Sequence, residues 1–382
     1  MIINIVMKCN TPMPPDSGTS SEMFWLLLAK GSVSRGHAVT IYSRCWPGCP
    51  DHEIHNGIRY HRVQGSNWSH IYLKYLWRDF IWSLRVFFAL GPADITIVNG
   101  TFLPIWLGWF RRGSGKLVIM PLGLPHGQYR LYRRVDCLLA TSTFVKDAIA
   151  RENPRFADKT QIVGQPIDWT LLARECKSVS MNKPIVIGYV GRIHRDKGMD
   201  LLVGAIEILS RNVSLPPWKV LLCGPKDEAN GGSGETYAAD LERRLSKVLS
   251  SDRYSIIPLP NNLERRYAMY REIEIFCYPS LPNTSEIFGS NVVEAMAAGA
   301  VPVVSSLKCF NDYLTPGESS ECFDHSSPNA IEQLANVLQL LIENPVRRAR
   351  LSEAARAVAY RYDYPLFISR ILSEFATLAV SR

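Results

Sequence analysis

The run Ser285-Glu286-Ile287-Phe288-Gly289-Ser290-Asn291-Val292-Val293-Glu294-Ala295-Met296-Ala297-Ala298-Gly299-Ala300-Val301-Pro302-Val303-Val304 sets the reading of the whole chain. Phe288-Gly289-Ser290 is a turn. Asn291 opens an apolar run that reads as a helix, with Ala295 to Ala298 as strong helix formers. Gly299 stops that helix, and Val301-Pro302-Val303-Val304 follows as a buried strand. Glu286 and Glu294 stand eight positions apart, about two turns at ~3.6 residues per turn. A loop carboxylate, open N–H groups at a helix start and a second carboxylate on the helix make a pocket. It suits a polyol beside an anionic group.

Upstream, Ile185–Val190 reads as a strand, and Gly191-Arg192-Ile193-His194-Arg195-Asp196-Lys197-Gly198 as the turn before a helix over Met199–Leu209. Arg192 and Lys197 at a helix N-terminus make an anion site, of the kind that takes a diphosphate. Arg195 reads as solvated. Further strands are expected at Trp218–Cys223, Tyr254–Ile257 and Ile275–Tyr278, with helices at Thr236–Leu249 and Leu263–Tyr270. The first half repeats the alternation. Strands are expected at Ile2–Met7, Ala38–Tyr42, Asp94–Val98, Lys116–Met120, Val135–Thr141 and Ile162–Asp168. Helices are expected over Glu22–Val33, with the face Phe24, Trp25, Leu27 and Leu28 and a Ser20 or Ser21 cap, and over Gly127–Arg134. A last helix, Leu366–Val380, starts at Pro365.

With 382 residues the chain exceeds one ordinary core, so two domains are expected. The expected fold class is α/β, with two Rossmann-like parallel-sheet domains facing across a cleft. One spans 1–170, with the C-terminal helix 362–382 packing back on it; the other spans 184–361, after a polar connection at 169–183. No Gly-x-Gly-x-x-Gly is present, which argues against a dinucleotide site.

Nine scattered cysteines, several inside apolar runs, fit buried thiols in a reducing compartment. Cys45, Cys49, His52 and His55 have spacing loosely suited to zinc, against a plain loop with incidental side chains; the expectation is no metal. No secretory signal and no uncharged run of about 18 residues is evident, so no membrane-spanning helix is expected. The expected place is cytoplasmic, either free or peripheral at the inner face of the plasma membrane.

Net charge is +8, and it is uneven: residues 1–170 hold 19 Lys and Arg against 11 Asp and Glu, and the rest balance. The first half is therefore turned toward something anionic. Residues 68–90 are rich in aromatic and aliphatic side chains, with Lys74, Arg78 and Arg85 on one helical stripe. That pattern suits either an anionic membrane surface or a core helix, and Trp106, Trp109, Phe110, Arg111 and Arg112 extend it. Nucleic acid is not expected, because no recognised module accompanies the charge.

Together, Gly191-Arg192-x4-Lys197-Gly198, Cys277-Tyr278-Pro279-Ser280 and Glu286-x-Phe288-Gly289-x4-Glu294-Ala295-Met296-Ala297-x-Gly299-x-x-Pro302-Val303-Val304 resemble the retaining glycosyltransferases of family 4, which have the GT-B fold. The match covers about 184 to 304; Gly18 and Arg35-Gly36-His37-x-Val39 extend it loosely. The resemblance implies sugar transfer from a UDP- or GDP-linked donor to a saccharide or lipid-linked acceptor, with no cofactor. It implies that Arg192 and Lys197 hold the diphosphate, Glu294 the ribose and Glu286 the donor sugar. Ile287, Phe288 and Gly289 would offer N–H groups, while Gly191 and Gly224 would border the donor.

Three departures stand out: Ser17-Gly18 for a Gly-Gly pair, Leu122-Gly123 for a His-Gly pair, and Cys309-Phe310 for a second Gly-Gly. His126, four positions after Leu122, is either a catalytic substitute for the missing histidine or a surface residue. Transfer to a soluble small molecule and a silent sugar-nucleotide-binding protein are the alternative functions.

Overall fold

Alternation of apolar strands and amphipathic helices places two sheets along the chain, each in its own compact unit. The computed structural model describes residues 1–14, 20–67, 69, 71–110, 113–174, 183–260, 262–282 and 286–380; of Ser20 and Ser21 it describes the backbone alone. Gly18, Arg111 and Arg112 therefore lie outside the described residues, as does the proposed Ser20 or Ser21 cap.

The first unit comprises Met1–Pro166 and Tyr364–Arg382. Its elements are β1 (Ile2–Val6), α1 (Ser20–Val33), β2 (Ala38–Arg44), β3 (His52–His55), β4 (Ile58–Val63), α2 (Tyr72–Ala89), β5 (Ile95–Val98), α3 (Leu103–Trp109), β6 (Lys116–Ile119), β7 (Cys137–Ala140), α4 (Thr143–Glu152) and β8 (Thr160–Ile162). Among the described residues the sheet order is β3-β4-β2-β1-β5-β6-β7-β8. All pairs are parallel except β3 with β4. The chain leaves β1 toward β2 and later returns to pair β5 on its other side, with Ile3 between Val39 and Ile95. Such a reversal of strand order opens a crevice at the strand C-terminal ends.

The second unit, Ile167–Asp363, contains α5 (Trp169–Leu172), β9 (Ile185–Val190), α6 (Met199–Leu209), β10 (Trp218–Cys223), α7 (Glu235–Ser246), β11 (Tyr254–Ile257), α8 (Leu263–Glu272), β12 (Ile275–Tyr278), α9 (Ser290–Ala297), β13 (Val301–Ser305), β14 (Glu321–Phe323), α10 (Ala330–Glu343) and α11 (Pro345–Tyr360). Its sheet is all parallel, in the order β11-β10-β9-β12-β13-β14. Here the reversal falls between β9 and β12. The last helix, α12 (Tyr364–Val380), returns to the first unit.

Several details correct the sequence reading. Gly127–Arg134 is not a helix; only Gln128–Leu131 winds into one 3-10 turn, after Gly127 at φ 96°. There, Tyr129 N–H donates to Glu152 at 2.6 Å and Tyr132 Oη to the Thr101 carbonyl at 2.8 Å. The Tyr129 carbonyl, which an α-helix would have used, accepts instead from Asn153 Nδ2 at 2.9 Å. The strand expected at 162–168 is the shorter Thr160–Ile162, and the connection after 168 begins with α5. Ala29 replaces Leu27 on the buried face of α1. Helix α12 begins at Tyr364, which moves Pro365 to its second position.

The segment 45–55 is not a plain loop. Cys45 Sγ donates to Asp51 at 3.4 Å, and His52 lies in edge strand β3 with its ring 4.2 Å from that of His61. Among the described residues no three His, Cys, Asp or Glu side chains converge as metal ligands. Beside them Arg62 is buried, donating to the carbonyls of Met13 and Pro50 and to Glu53 at 2.5 Å.

Helix α2 has two characters. Trp82, Val86 and Phe87 are buried, and Trp82 Nε1 donates to the Met7 carbonyl at 3.2 Å. The opposite face keeps Leu73, Trp77 and Phe88 exposed, near Trp109 and Phe110, also exposed. Arg78 and Arg85 donate to the carbonyls of Asn67 and Gln64, so part of the basic stripe clamps the preceding segment.

In the first unit's core Phe24 of α1 meets Trp25 and Phe367 edge-on, at 5.0 and 5.7 Å. Ile368, Ile371 and Phe375 of α12 join the same cluster. Phe367→Ala should therefore destabilise the first unit by ~3–5 kcal/mol, seen as a lower urea midpoint for the transition that exposes Trp25. An unchanged midpoint would show that α12 is dispensable to that core.

Candidate functional site

The β9/β12 reversal brings two loops together. The turn after β9 carries Gly191, Arg192 and Lys197; the loop after β12 carries Ser280 and Glu286. Lys197 Nζ donates to Glu286 Oε2 at 2.6 Å, with both side chains almost fully buried. Ser280 Oγ donates to the same oxygen at 3.0 Å, and Tyr278 also hydrogen-bonds Glu286. The Lys197 ammonium stands 5.3 Å from the centre of the Tyr278 ring, which stacks on Tyr189. Ser280 is fixed in turn, because Ser305 Oγ of β13 donates to its carbonyl.

Local sequence explains the turn. His194 Nδ1 accepts the Asp196 N–H at 3.1 Å, capping one 3-10 turn at Arg195–Lys197. Gly198 then takes φ +66°, where an added Cβ would sit 1.9 Å from the Pro279 carbonyl oxygen. At Gly224 a Cβ would fall 1.7 Å from the Gly191 carbonyl oxygen, so these two turns pass in direct backbone contact. Tyr189 Oη donates to the Arg192 carbonyl at 2.8 Å, and the Arg192 guanidinium donates to the Gly231 carbonyl at 2.9 Å. Arg195 is exposed and lies over the Tyr237 ring at 4.3 Å.

The 287–289 backbone leads into α9, with Gly289 as its N-cap, and Glu294 lies within the helix. Among the described residues, nothing accepts from the N–H groups of Ile287, Phe288 or Gly289. The Phe288 side chain is core, with its ring 5.0 Å from Tyr313. Asn291 Nδ2 donates to the Val190 carbonyl at 2.7 Å and pins α9 to the end of β9. Burial raises the Glu294 carboxyl above the usual range, against a hydrogen bond from Tyr270 and the charge of Arg266, both on α8. His126 belongs to the first unit; it is exposed, with its ring 6.2 Å from that of Tyr72.

This architecture has close counterparts. Sucrose-phosphate synthase from Thermosynechococcus elongatus superposes with a TM-score of 0.76 at 19% identity, covering 99% of this chain and 98% of that one. Anabaena HepE in complex with UDP and glucose gives 0.69 at 15%, covering 99% and 100%. The fold is GT-B.

Within this GT-B chain, residues 175–358, just under half, match the family "Glycosyl transferases group 1". Phosphatidyl-myo-inositol mannosyltransferase from Mycobacterium tuberculosis is 32% identical over 190 residues, which cover 48% of this chain and 45% of that protein. The matched part thus spans less than half of that relative's length.

The structure adds residues that motif reading left without roles: Ser280, Tyr278 and Ser305 around Glu286, Asn291 at the α9 start, and Tyr270 on Glu294. Ser280 was visible in the Tyr-Pro-Ser run, but its partner depends on how β12 and β13 pair. Tyr270 carried no signal, since its link to Glu294 joins two helices.

Breaking one half of a buried pair strands the other charge. Lys197→Met should cost ~3–5 kcal/mol, read from the denaturant midpoint of the second unit. The double variant Lys197→Met/Glu286→Leu should recover part of the loss. Equal losses in the single and double variants would show that the pair does not determine stability.

Proposed function

We propose that the protein is a retaining, metal-independent glycosyltransferase that moves a sugar from a nucleotide-diphosphate donor to an acceptor. The observation that carries this reading is the Lys197–Glu286 pair at the second unit's strand reversal, with Arg192 in the same turn as Lys197 and the open N–H groups of 287–289 next to Glu286 in the chain. The match over 175–358 supports the donor class, as does the likeness to Anabaena HepE, whose structure is a complex with UDP and glucose.

In this reading Arg192 and Lys197 bind the donor diphosphate and stabilise the charge that develops as it leaves. Lys197 is then shared between phosphate and Glu286, whose carboxylate orients the sugar hydroxyls. Gly191 and Gly224 border the donor, Ile287, Phe288 and Gly289 donate N–H to it, and Glu294 accepts from the ribose. The bond from the anomeric carbon to the phosphate oxygen breaks, with its electron pair leaving on the diphosphate. The acceptor oxygen bonds that carbon from the same face, and its proton passes to a phosphate oxygen. His126 and Gly18 are assigned to the acceptor side. A divalent metal is not needed where two cations already face the leaving group.

The acceptor is a lipid-linked saccharide in polysaccharide or glycoconjugate biosynthesis, used at the inner face of the plasma membrane. The exposed apolar face of α2 with Trp109 and Phe110 supports this, as does Arg133, over the Trp109 ring at 4.2 Å. Among the described residues no helix is long and apolar enough to cross a membrane. The name of the mycobacterial relative, a phosphatidyl-myo-inositol mannosyltransferase, points the same way. Flotation with anionic vesicles at low salt should carry the protein upward; protein left in the soluble fraction would remove the membrane part.

A thermal-shift screen against UDP, GDP and ADP should give one preferred nucleotide. Donor hydrolysis in EDTA should persist in the wild type and fall at least ~10²-fold in Glu286→Ala. No stabilisation by any nucleotide would overturn the proposal.

The raised Glu294 carboxyl gives a pH test. Ribose hydroxyls donating to it favour the ionised form, so binding lowers its pKa and releases a proton. UDP affinity should therefore weaken as pH falls through the raised value, and Glu294→Gln should flatten the profile. Without ligand the sign reverses: this group's contribution to stability declines as pH rises from the ordinary glutamate value through the raised one. A pH-independent affinity in the wild type would remove Glu294 from the nucleotide site.

A further inference from the structure

The backbone that follows Glu286 is held by a single buried hydroxyl. Tyr313 Oη donates to the Phe288 carbonyl at 2.6 Å and stands 3.5 Å from the Gly289 carbonyl oxygen. In a planar trans peptide the carbonyl of one residue and the N–H of the next point in opposite directions. A Phe288 carbonyl turned onto Tyr313 therefore turns the Gly289 N–H away from it. The Gly289 carbonyl also accepts the Val292 N–H at 2.9 Å, which directs the Ser290 N–H away from the helix interior. Among the described residues neither the Gly289 nor the Ser290 N–H has an acceptor. Both residues are half-buried, whereas Phe288 is fully buried.

The sequence after β13 supplies this hold. The chain winds through one 3-10 turn, Lys308–Phe310, and the Phe310 carbonyl then accepts the N–H groups of Tyr313 and Leu314 at 3.2 and 2.9 Å. Phe310 and Tyr313 both reach the 288–289 turn. Gly289 has φ +78°, and a Cβ there would stand 2.7 Å from Phe310 Cε1 and 3.3 Å from Tyr313 Oη. Glycine alone lets both rings close on the backbone at that angle. Cys309-Phe310 is also where the chain departs from a Gly-Gly pair, which would carry no ring to back Gly289.

Tyr313 is itself fixed. Its ring centre lies 5.0 Å from that of Phe288 and 6.1 Å from that of Tyr362. Burial pushes its hydroxyl well above the ordinary tyrosine range, so the group stays protonated and able to donate.

We propose that Tyr313 is a positioning residue of the donor site: its hydroxyl, with the Phe310 ring, holds the 288–290 backbone so that the Gly289 and Ser290 N–H groups meet a bound diphosphate. The role rests on the glycosyltransferase reading, which places a diphosphate at that turn. Tyr313 touches no substrate and acts through the backbone it holds. Without the hydroxyl the buried Phe288 carbonyl loses its partner, which favours a rotated peptide. Donors that must then reorganise as phosphate arrives stabilise its charge less.

The test sets the wild type against Tyr313→Phe, which keeps the ring and removes the hydroxyl. Calorimetry on the full chain uses UDP with uridine, GDP with guanosine, and ADP with adenosine, the nucleosides being measured by displacement. In the pair whose diphosphate binds the wild type best, Tyr313→Phe should weaken the diphosphate about 10-fold and leave the nucleoside within ~2-fold. kcat/KM for donor hydrolysis should fall by at least the same factor as the diphosphate affinity. A merely structural role would not separate diphosphate from nucleoside.

Equal weakening of both ligands would overturn the role. So would an unchanged diphosphate affinity, whether or not the urea midpoint of the second unit falls. A wild type that binds none of the three diphosphates removes the transferase reading and this role with it. Wild-type binding that Tyr313→Phe leaves intact removes this role alone. If Tyr313→Phe fails to fold, Phe310→Leu takes its place, since it withdraws the ring from Gly289 and keeps the hydroxyl. It should weaken the diphosphate about 3-fold and spare the nucleoside; no loss in that variant would overturn the role.

Discussion

The buried Lys197–Glu286 pair is the constraint on which the second unit's site depends. Two charges taken out of water are stable together only when geometry and extra hydrogen bonds offset their lost hydration. Here Ser280 and Tyr278 complete the carboxylate, and the Tyr278 ring face meets the ammonium. Because Ser280 is bound to Ser305, the pair joins the ends of β9, β12 and β13 into one rigid corner. A sugar-nucleotide site needs that rigidity, since donors aimed at developing charge help only if they need not reorganise. Under the proposed function, a diphosphate at Lys197 would meet a cation already oriented by Glu286.

The first unit applies the same physics to a different end. Among its described residues Arg62 and Asp79 are buried ionisable side chains: Arg62 donates to the Met13 and Pro50 carbonyls and to Glu53, and Asp79 accepts from the Thr101 and Phe102 N–H groups. Both therefore hold loops at the sheet's edges and ends. Lys8 differs: it lines a cavity at the C-terminal ends of β1, β5 and β6. Helix α2 links these features, carrying Asp79 and Trp82 inward and Leu73, Trp77 and Phe88 outward.

Much of the fold was legible because parallel strands buried on both faces read as unbroken apolar runs. Ile185–Val190 and Ile275–Tyr278 are such strands, and the helix Met199–Leu209 and the half-exposed edge strand Tyr254–Ile257 also match to the residue. The β3–β4 hairpin was missed although β4 carries a period-2 pattern, Ile58, Tyr60 and Arg62 inward. Arginine at an inward position hid the alternation, since its partners come from distant segments. The segment 127–134 looked helical by composition, yet Tyr129 and Tyr132 form longer-range bonds. The alternatives for 68–90 were not exclusive, because one helix serves both a core and an exposed apolar face.

For the site, spacing alone put Arg192, Lys197, Glu286 and Glu294 in one unit, since a β-α series returns every turn to the same sheet edge. By itself the sequence determined the α/β class, the strand order's raw material and the chemical types at the turns. Only the tertiary structure decided that Lys197 bonds Glu286 directly, that Tyr270 reaches Glu294, and that Lys8 lines a cavity. Those relations depend on which strands lie side by side. Strand neighbours are chosen by packing across the whole sheet, at a range that local propensity and spacing do not encode.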